Sequence, residues 1–395
     1  MSTALSGAAP QARPAVRQLA GSLIREVANA GMGRTDVLPF WFGESDRPTA
    51  PYIHQAAQQS LAQGETFYAQ NLGRPYLREA IAVYLSALHG RPLGPERVVS
   101  VPSGMAGLLM AYELLLSPGD RVVAVTPLWP NLVEAPRLFG ASVARVSLVV
   151  QDGRWSLDLQ RLLDALTPDT RLLVLNSPNN PTGWTIDAAS LQAVQAHCRR
   201  HGIWILSDDV YERLVYDPTQ ASAPSLLRTA DPQDRLISVN SFSKAWCMTG
   251  WRAGWMVLPA SLVDDAGKVA EYNFSCQFEP VQRAATAALQ QGEADVARLR
   301  ESLSHSRQLL STALAALPGV EVPEAGGAMY VFFRLAGHGD SLALAKQLVQ
   351  QVGLGLAPGA AFGAEGEGWL RWCHAVSDDH KLREGVQRLR RFLGV

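Results

Sequence analysis

Short apolar runs recur along the chain at intervals that leave room for a helix between them. Val98–Val101, Val122–Val125, Leu172–Leu175, Ile203–Leu206 and Leu236–Val239 are too short for helices and too continuous to leave one face in water. Such runs read as strands buried on both faces, and strands alternating with helices build a mainly parallel sheet with helices on either side. A different pattern flanks this block. Val16–Ala30 has the apolar spacing of an amphipathic helix that Gly31-Met32-Gly33 ends, and Val37–Asp46 reads as a short strand entering a turn. Helices are expected from Thr49, after the aromatic and polar loop Thr66–Arg78, and over Asp264–Leu289 with a break at Asn273–Pro280. A further helix runs from Glu293 to Leu317, where Pro318-Gly319 stops it. Gly326–Phe333 alternates as a strand, and Trp369–Cys373 is a strand with Arg371 inside it.

The expected organisation is an α/β protein with a three-layer large domain over 48–290. A smaller α+β domain combines 16–47 with 291–395, and an N-terminal arm covers 1–15. Site residues of such sheets are expected at strand ends.

Composition narrows the function. The 395 residues are 47% hydrophobic and 18% charged with net charge -1, which gives no electrostatic footprint for nucleic acid or an anionic membrane. Cys198, Cys247, Cys276 and Cys373 are far apart and suit a reducing cytoplasm. The first ten residues lack a secretory pattern, and no apolar run approaches membrane-spanning length. His197 and His201 lie one helical turn apart without a third ligand, so no metal site is expected.

Candidate chemistry centres on Ser241-Phe-Ser-Lys-Ala-Trp-Cys-Met-Thr-Gly-Trp-Arg252, which follows the Leu236–Val239 run. A lysine fixed at a strand end away from water is poised to lose its proton and attack a carbonyl. Lys244 is one of only four lysines in the chain, and the other three sit on expected helices without such neighbours. Ser241, Ser243 and Arg252 are suited to holding a phosphate beside it, because hydroxyls donate and a guanidinium grips a dianion in two places. Backbone amides at Ser103, Gly104 and Met105 open a helix after a strand and favour an anion, although a plain N-cap explains them equally. Trp129 is placed either to stack on a flat ring or to fill core. Asp208, at the end of an apolar strand, needs a partner or caps a helix. Arg371 needs an anion, a carboxylate or a structural ion pair. Of these, Lys244 with Ser241, Ser243 and Arg252 describes a seat for pyridoxal phosphate.

The Lys244 stretch, Asn180-Pro-Thr-Gly183 after a strand, and Asp208 and Arg252 in the same order and spacing resemble the class I/II aminotransferase family of fold-type-I pyridoxal phosphate enzymes. The resemblance covers nearly the whole chain after the first fifteen or so residues. It implies that Lys244 carries the cofactor, that Asp208 pairs with the ring nitrogen, and that Asn180 and Tyr211 meet its phenolic oxygen. It also implies that Trp129 stacks on the ring, that Arg371 binds the substrate α-carboxylate, and that Gly43 lies near that carboxylate. Tyr68, with Gly73, matches a family tyrosine that reaches the neighbouring subunit's cofactor phosphate, which implies a homodimer with shared sites. Asp209 stands where glutamate is commoner. The implied reaction is ping-pong transfer of an amino group between an L-amino acid and a 2-oxo acid. Met105 stands where relatives selective for acidic substrates place a lysine. With Trp41, Phe42 and Met329 it points to apolar or aromatic substrates. A carbon–sulfur β-lyase on the same fold and a non-catalytic cofactor-binding sensor are the alternatives.

Overall fold

The computed structural model describes residues 10–395, so most of the expected N-terminal arm lies outside the described residues. Seven strands form the central sheet: β1 (Val98–Val101), β2 (Arg121–Thr126), β3 (Ser142–Ser147), β4 (Thr170–Asn176), β5 (Trp204–Asp208), β6 (Leu236–Ser241) and β7 (Gly254–Val257). Their spatial order is β1-β7-β6-β5-β4-β2-β3. Neighbours from β6 to β3 pair parallel, whereas β7 runs antiparallel to both β6 and β1. The continuous apolar runs have the expected cause. Leu173 and Leu175 of β4 join one buried cluster while Leu172 and Val174 join the other, so each face of the sheet has its own core.

Helix boundaries follow local chemistry. Ser103 Oγ accepts from Ala106 N at 3.0 Å and starts the helix Gly104–Leu115. Asp187 caps Ala188–His201, whose last turn carries Arg199, Arg200 and His201 against the negative end of the helix dipole. Gly202 then ends it at φ 68, a conformation glycine adopts without a side-chain clash.

A second, four-stranded antiparallel sheet is built from β8 (Val320–Glu321), β9 (Tyr330–Leu335), β10 (Ala357–Pro358) and β11 (Trp369–Cys373) in the order β8-β9-β11-β10. The pairing sets Tyr330 opposite Cys373 and Phe332 opposite Arg371, so these four side chains share one face. Trp372 lies on the other face, fully buried, with its ring 5.0 Å from Phe40. Leu38–Pro39 pairs parallel with Leu354–Gly355 and joins the N-terminal segment to this part of the molecule.

Several expectations need correction. The segment Val16–Ala30 is not one helix but two, Pro14–Arg17 and Leu23–Ala30, because Ser22 caps the second by accepting from Arg25 N. The short strand expected at the start of Val37–Asp46 is present at Leu38–Pro39, ahead of bends at Phe42 and Gly43. The strand expected over Gly326–Phe333 begins only at Tyr330 and runs to Leu335, and Tyr330, Val331, Phe332 and Phe333 are all buried. The strand before Trp129 stops at Thr126, ahead of a cis Thr126–Pro127 bond. The helices Val263–Asn273, Glu279–Gln291 and Glu293–Ala315 fall close to their expected places, with the break where it was expected. No helix among the described residues is long and apolar enough to cross a membrane.

Trp372→Ala removes the packing behind Arg371 and is expected to lower stability by about 3–5 kcal/mol, read as a fall in the urea midpoint. An unchanged midpoint would show that this face of the small sheet is not under packing constraint.

Candidate active site

The ends of β1, β4, β5 and β6 open on one side of the central sheet, and the small sheet faces them across a cavity of about 500 Å³. One end of the cavity is made of donors. The helix starting at Gly104 directs its first amides there, and it presses so closely on β6 that a Cβ at Gly104 would lie 3.3 Å from Ser241 Cβ. Ser241 Oγ and Ser243 Oγ are 2.8 Å apart. Arg252, in the left-handed conformation at φ 54, closes this end and donates to Thr249 O at 2.7 Å. Met105 lines the cavity, whereas Ser103 sits just behind as the helix cap.

The opposite end belongs to the small sheet. Arg371 is 2% exposed and is held between aromatic rings, its guanidinium carbon 4.4 Å from the centre of Tyr330 and 4.9 Å from that of Phe362. It donates to Asn180 Oδ1 at 2.8 Å and to the carbonyl of Trp41, while its buried Nε–H has no partner among the described residues. Because a guanidinium only donates, the Asn180 oxygen must face it, which turns the amide NH₂ the other way.

Lys244 reaches across this space and donates to the carbonyl of Gly43 rather than to a carboxylate. Burial pulls its ammonium down to about 8 from the usual 10.5, with smaller opposing effects of Cys373 and Arg371. On the floor, Asp208 accepts from Val210 N at 3.3 Å, and burial raises its carboxyl to about 7. Asp209, next along the chain, does not line the cavity and takes hydrogen bonds from the hydroxyls of Ser207 and Ser238. Gly43 admits no side chain, since a Cβ there would lie 2.0 Å from Tyr330 Oη.

The structure therefore brings together Gly43, Gly104, Met105, Asn180, Asp208, Tyr211, Ser241, Ser243, Lys244, Arg252 and Arg371, with Trp129 beside them. It does not bring Tyr68, which is 88% exposed and outside the cavity of its own chain. Two expected pocket residues are misplaced. The ring of Trp41 packs over Gly31 and Gly355, and Met329 packs with Leu214, Leu299 and Leu303. The apolar wall is instead Ile24, Phe42, Met105 and Leu108. Reading the sequence missed Tyr330, whose hydroxyl is 2.6 Å from that of Tyr211. It also missed Asn176, which accepts from Asn180 N and donates to Asp208 O. The only signal for Asn176 was its place at a strand end.

Such a fold, with a lysine at the strand ends facing an arginine on a small antiparallel sheet, is that of the fold-type-I aminotransferases. A mutant of the Thermus thermophilus aspartate aminotransferase superposes with a TM-score of 0.89 at 30% identity, covering 97% of this chain and 99% of that one. The family model for aminotransferase class I and II matches residues 35–389, and the chain belongs to that family. It is 32% identical to an aspartate aminotransferase of Pyrococcus horikoshii, covering 94% of both chains. It is also 33% identical to the arginine–pyruvate transaminase AruH of Pseudomonas aeruginosa, covering 92% of each.

In the cofactor-free protein, competitive labelling of amines is expected to give Lys244 a midpoint near pH 8, well below the usual lysine value. A Lys244 midpoint at 10.5 would contradict the burial described.

Proposed function

We propose that this aminotransferase holds pyridoxal phosphate in the cavity and moves amino groups from apolar or aromatic L-amino acids to a 2-oxo acid. The observation that carries this reading is the convergence, in one cavity, of a half-buried lysine without a carboxylate partner, a donor cluster at one end and a half-paired arginine at the other. The residues fit the cofactor. Ser241, Ser243, Arg252 and the amides of Gly104 and Met105 would hold its phosphate, and Ser103 fixes that helix start. Trp129 would lie against the ring, while Asn180 and Tyr211 would face its phenolic oxygen. When bound, the cofactor supplies an electron-withdrawing ring that stabilises negative charge at the substrate α-carbon.

The remaining chemistry belongs to the chain's own side chains. Asp208, raised to about 7 chiefly by burial with a smaller push from Asp209, would ionise beside a cationic ring nitrogen and hold that nitrogen's proton in place. Arg371 takes the substrate α-carboxylate through its unpaired Nε–H, and the absence of a side chain at Gly43 leaves room for the Tyr330 hydroxyl beside it. Lys244, with its ammonium already weakened, carries a proton away from the α-carbon and returns one on the far side of the transfer.

Substrate class rests on the wall of Ile24, Phe42, Met105 and Leu108. The relatives act by name on aspartate in one case and arginine in another, so membership of the family leaves this choice to the individual pocket. Phe67, Tyr68, Tyr272 and Phe278 are large exposed aromatics, Tyr272 on the last turn of the helix Val263–Asn273 and the others on loops, and the two segments are joined where Ala69 N donates to Cys276 Sγ. Such a patch suits a second copy of the chain, with Tyr68 reaching its site. A cytoplasmic setting suits the four unpaired cysteines.

Borohydride treatment of the loaded protein is expected to fix one reduced cofactor on Lys244, seen by peptide mass, and Lys244→Ala is expected to lose both the label and transamination. A label on another lysine would overturn the assignment. In a donor panel, phenylalanine, leucine and methionine are expected to exceed aspartate by about tenfold or more in kcat/KM, since a distal carboxylate would be desolvated against Ile24, Phe42 and Leu108, while Arg25, which also lines the cavity, is exposed to solvent. Preference for aspartate, or release of pyruvate and ammonia without an acceptor, would contradict the reading. Sedimentation is expected to give twice the chain mass, and a monomer at working concentration would remove the role given to Tyr68.

A further inference from the structure

Tyr330 touches both Arg371 and Tyr211, and the way it is held explains how. The chain enters β9 through Ala328, a non-glycine residue at φ 65, a backbone state that surrounding contacts must enforce. Those contacts are present. Ala328 N donates to Leu214 O at 2.8 Å, Tyr216 Oη donates to Ala328 O at 2.8 Å, and His374 N donates to Met329 O at 3.1 Å. The proton positions follow from this chain. The Tyr216 proton is given to Ala328 O, so the Tyr216 oxygen accepts from His374 Nε2–H at 3.0 Å. Nδ1 of His374 is then free to accept from Ser306 Oγ at 2.9 Å. A neutral imidazole satisfies every partner, as its complete burial requires. The result is a Tyr330 whose backbone is fixed from two sides.

Fixed in this way, Tyr330 makes two contacts of different kinds. Its ring lies 4.4 Å from the Arg371 guanidinium carbon, a contact that favours the cation without consuming any of its N–H groups. Its hydroxyl lies 2.6 Å from the Tyr211 hydroxyl. Only one of the two can donate to the other. If Tyr211 gives its proton to a ligand in the cavity, Tyr330 becomes the donor and polarises the Tyr211 hydroxyl.

We infer that Tyr330 is a positioning residue with two separable tasks: its ring holds Arg371 ready for a carboxylate, and its hydroxyl strengthens Tyr211 as a donor to the cofactor. The second task rests on the cofactor reading above, whereas the first does not. Loss of the hydroxyl leaves Tyr211 a weaker donor, so an oxygen anion opposite it is less stabilised and the nearby lysine-bound nitrogen keeps its proton to higher pH.

Tyr330→Phe and Tyr330→Leu separate the tasks. Binding of 3-phenylpropionate to cofactor-free protein, by calorimetry, reads the first. Wild type and Tyr330→Phe are expected to agree within about threefold, and Tyr330→Leu to bind about tenfold more weakly, as loss of a desolvated cation–ring contact implies. The pH midpoint of the visible absorbance of loaded protein reads the second, and Tyr330→Phe is expected to raise it by about half a unit or more. Wild-type binding by Tyr330→Leu would overturn the ring's task, and an unmoved midpoint in Tyr330→Phe would overturn the hydroxyl's. Protein that takes up no pyridoxal phosphate would sink the cofactor reading and with it the hydroxyl's task, while the calorimetry still decides the ring's. Near-ultraviolet circular dichroism matching wild type shows that each variant is folded, and the isosteric Tyr330→Phe guards against a leucine variant that is not.

Discussion

A lysine ammonium taken out of water without a carboxylate to meet it is the constraint on which the site depends. Lys244 follows β6, a strand buried along its whole length, and among the described residues its Nζ finds only the Gly43 carbonyl. Water would stabilise the charged form; the protein does so poorly, and the ammonium falls to about 8. The same burial acts oppositely on Asp208, lifting it to about 7. Desolvation thus disfavours the charged form of both groups, leaving an amine suited to act as a base and a carboxyl that calls for a cation beside it.

Holding that arrangement takes residues from both ends of the chain. Gly43 precedes the large sheet in sequence, Lys244 sits within it, and Arg371 follows it, yet their side chains and backbone meet in one cavity. The short pairing of Leu38–Pro39 with Leu354–Gly355 sets the early segment beside the late one. Arg371 then ties the small sheet to the loop after β4 by its bond to Asn180, and Tyr211 ties the loop after β5 to β9 through Tyr330. Both bonds cross between the two sheets, so any shift of one sheet against the other changes the distance between the donor cluster and Arg371.

Much of this was legible in the sequence, for a physical reason. Strands buried on both faces are continuous apolar runs, and polar residues that end such runs stand out. Ser241, Lys244, Asp208 and Asn180 were visible because each breaks an apolar pattern, and Arg371 because it interrupts one. Tyr330 was hidden because a tyrosine among Met329, Val331, Phe332 and Phe333 reads as one more apolar strand residue; only the pairing with β11 reveals which face it takes. The same blindness misassigned Trp41 and Met329, whose apolar character suits a pocket wall and a core equally, and whose packing against Gly355 and Leu303 is long-range. The break between Pro14–Arg17 and Leu23–Ala30 escaped because helical periodicity continues across Gly21-Ser22, whereas the Ser22 cap resets the helix.

The most direct measurement is a single half-reaction: loaded protein mixed with a neutral amino acid and no acceptor, with 2-oxo acid counted against cofactor. One equivalent of oxo acid per site, with the visible band lost in step and regained on adding a 2-oxo acid, is the predicted result. Continued release of product beyond one equivalent, or none while the band persists, would contradict a Lys244 that moves protons for reversible amino transfer.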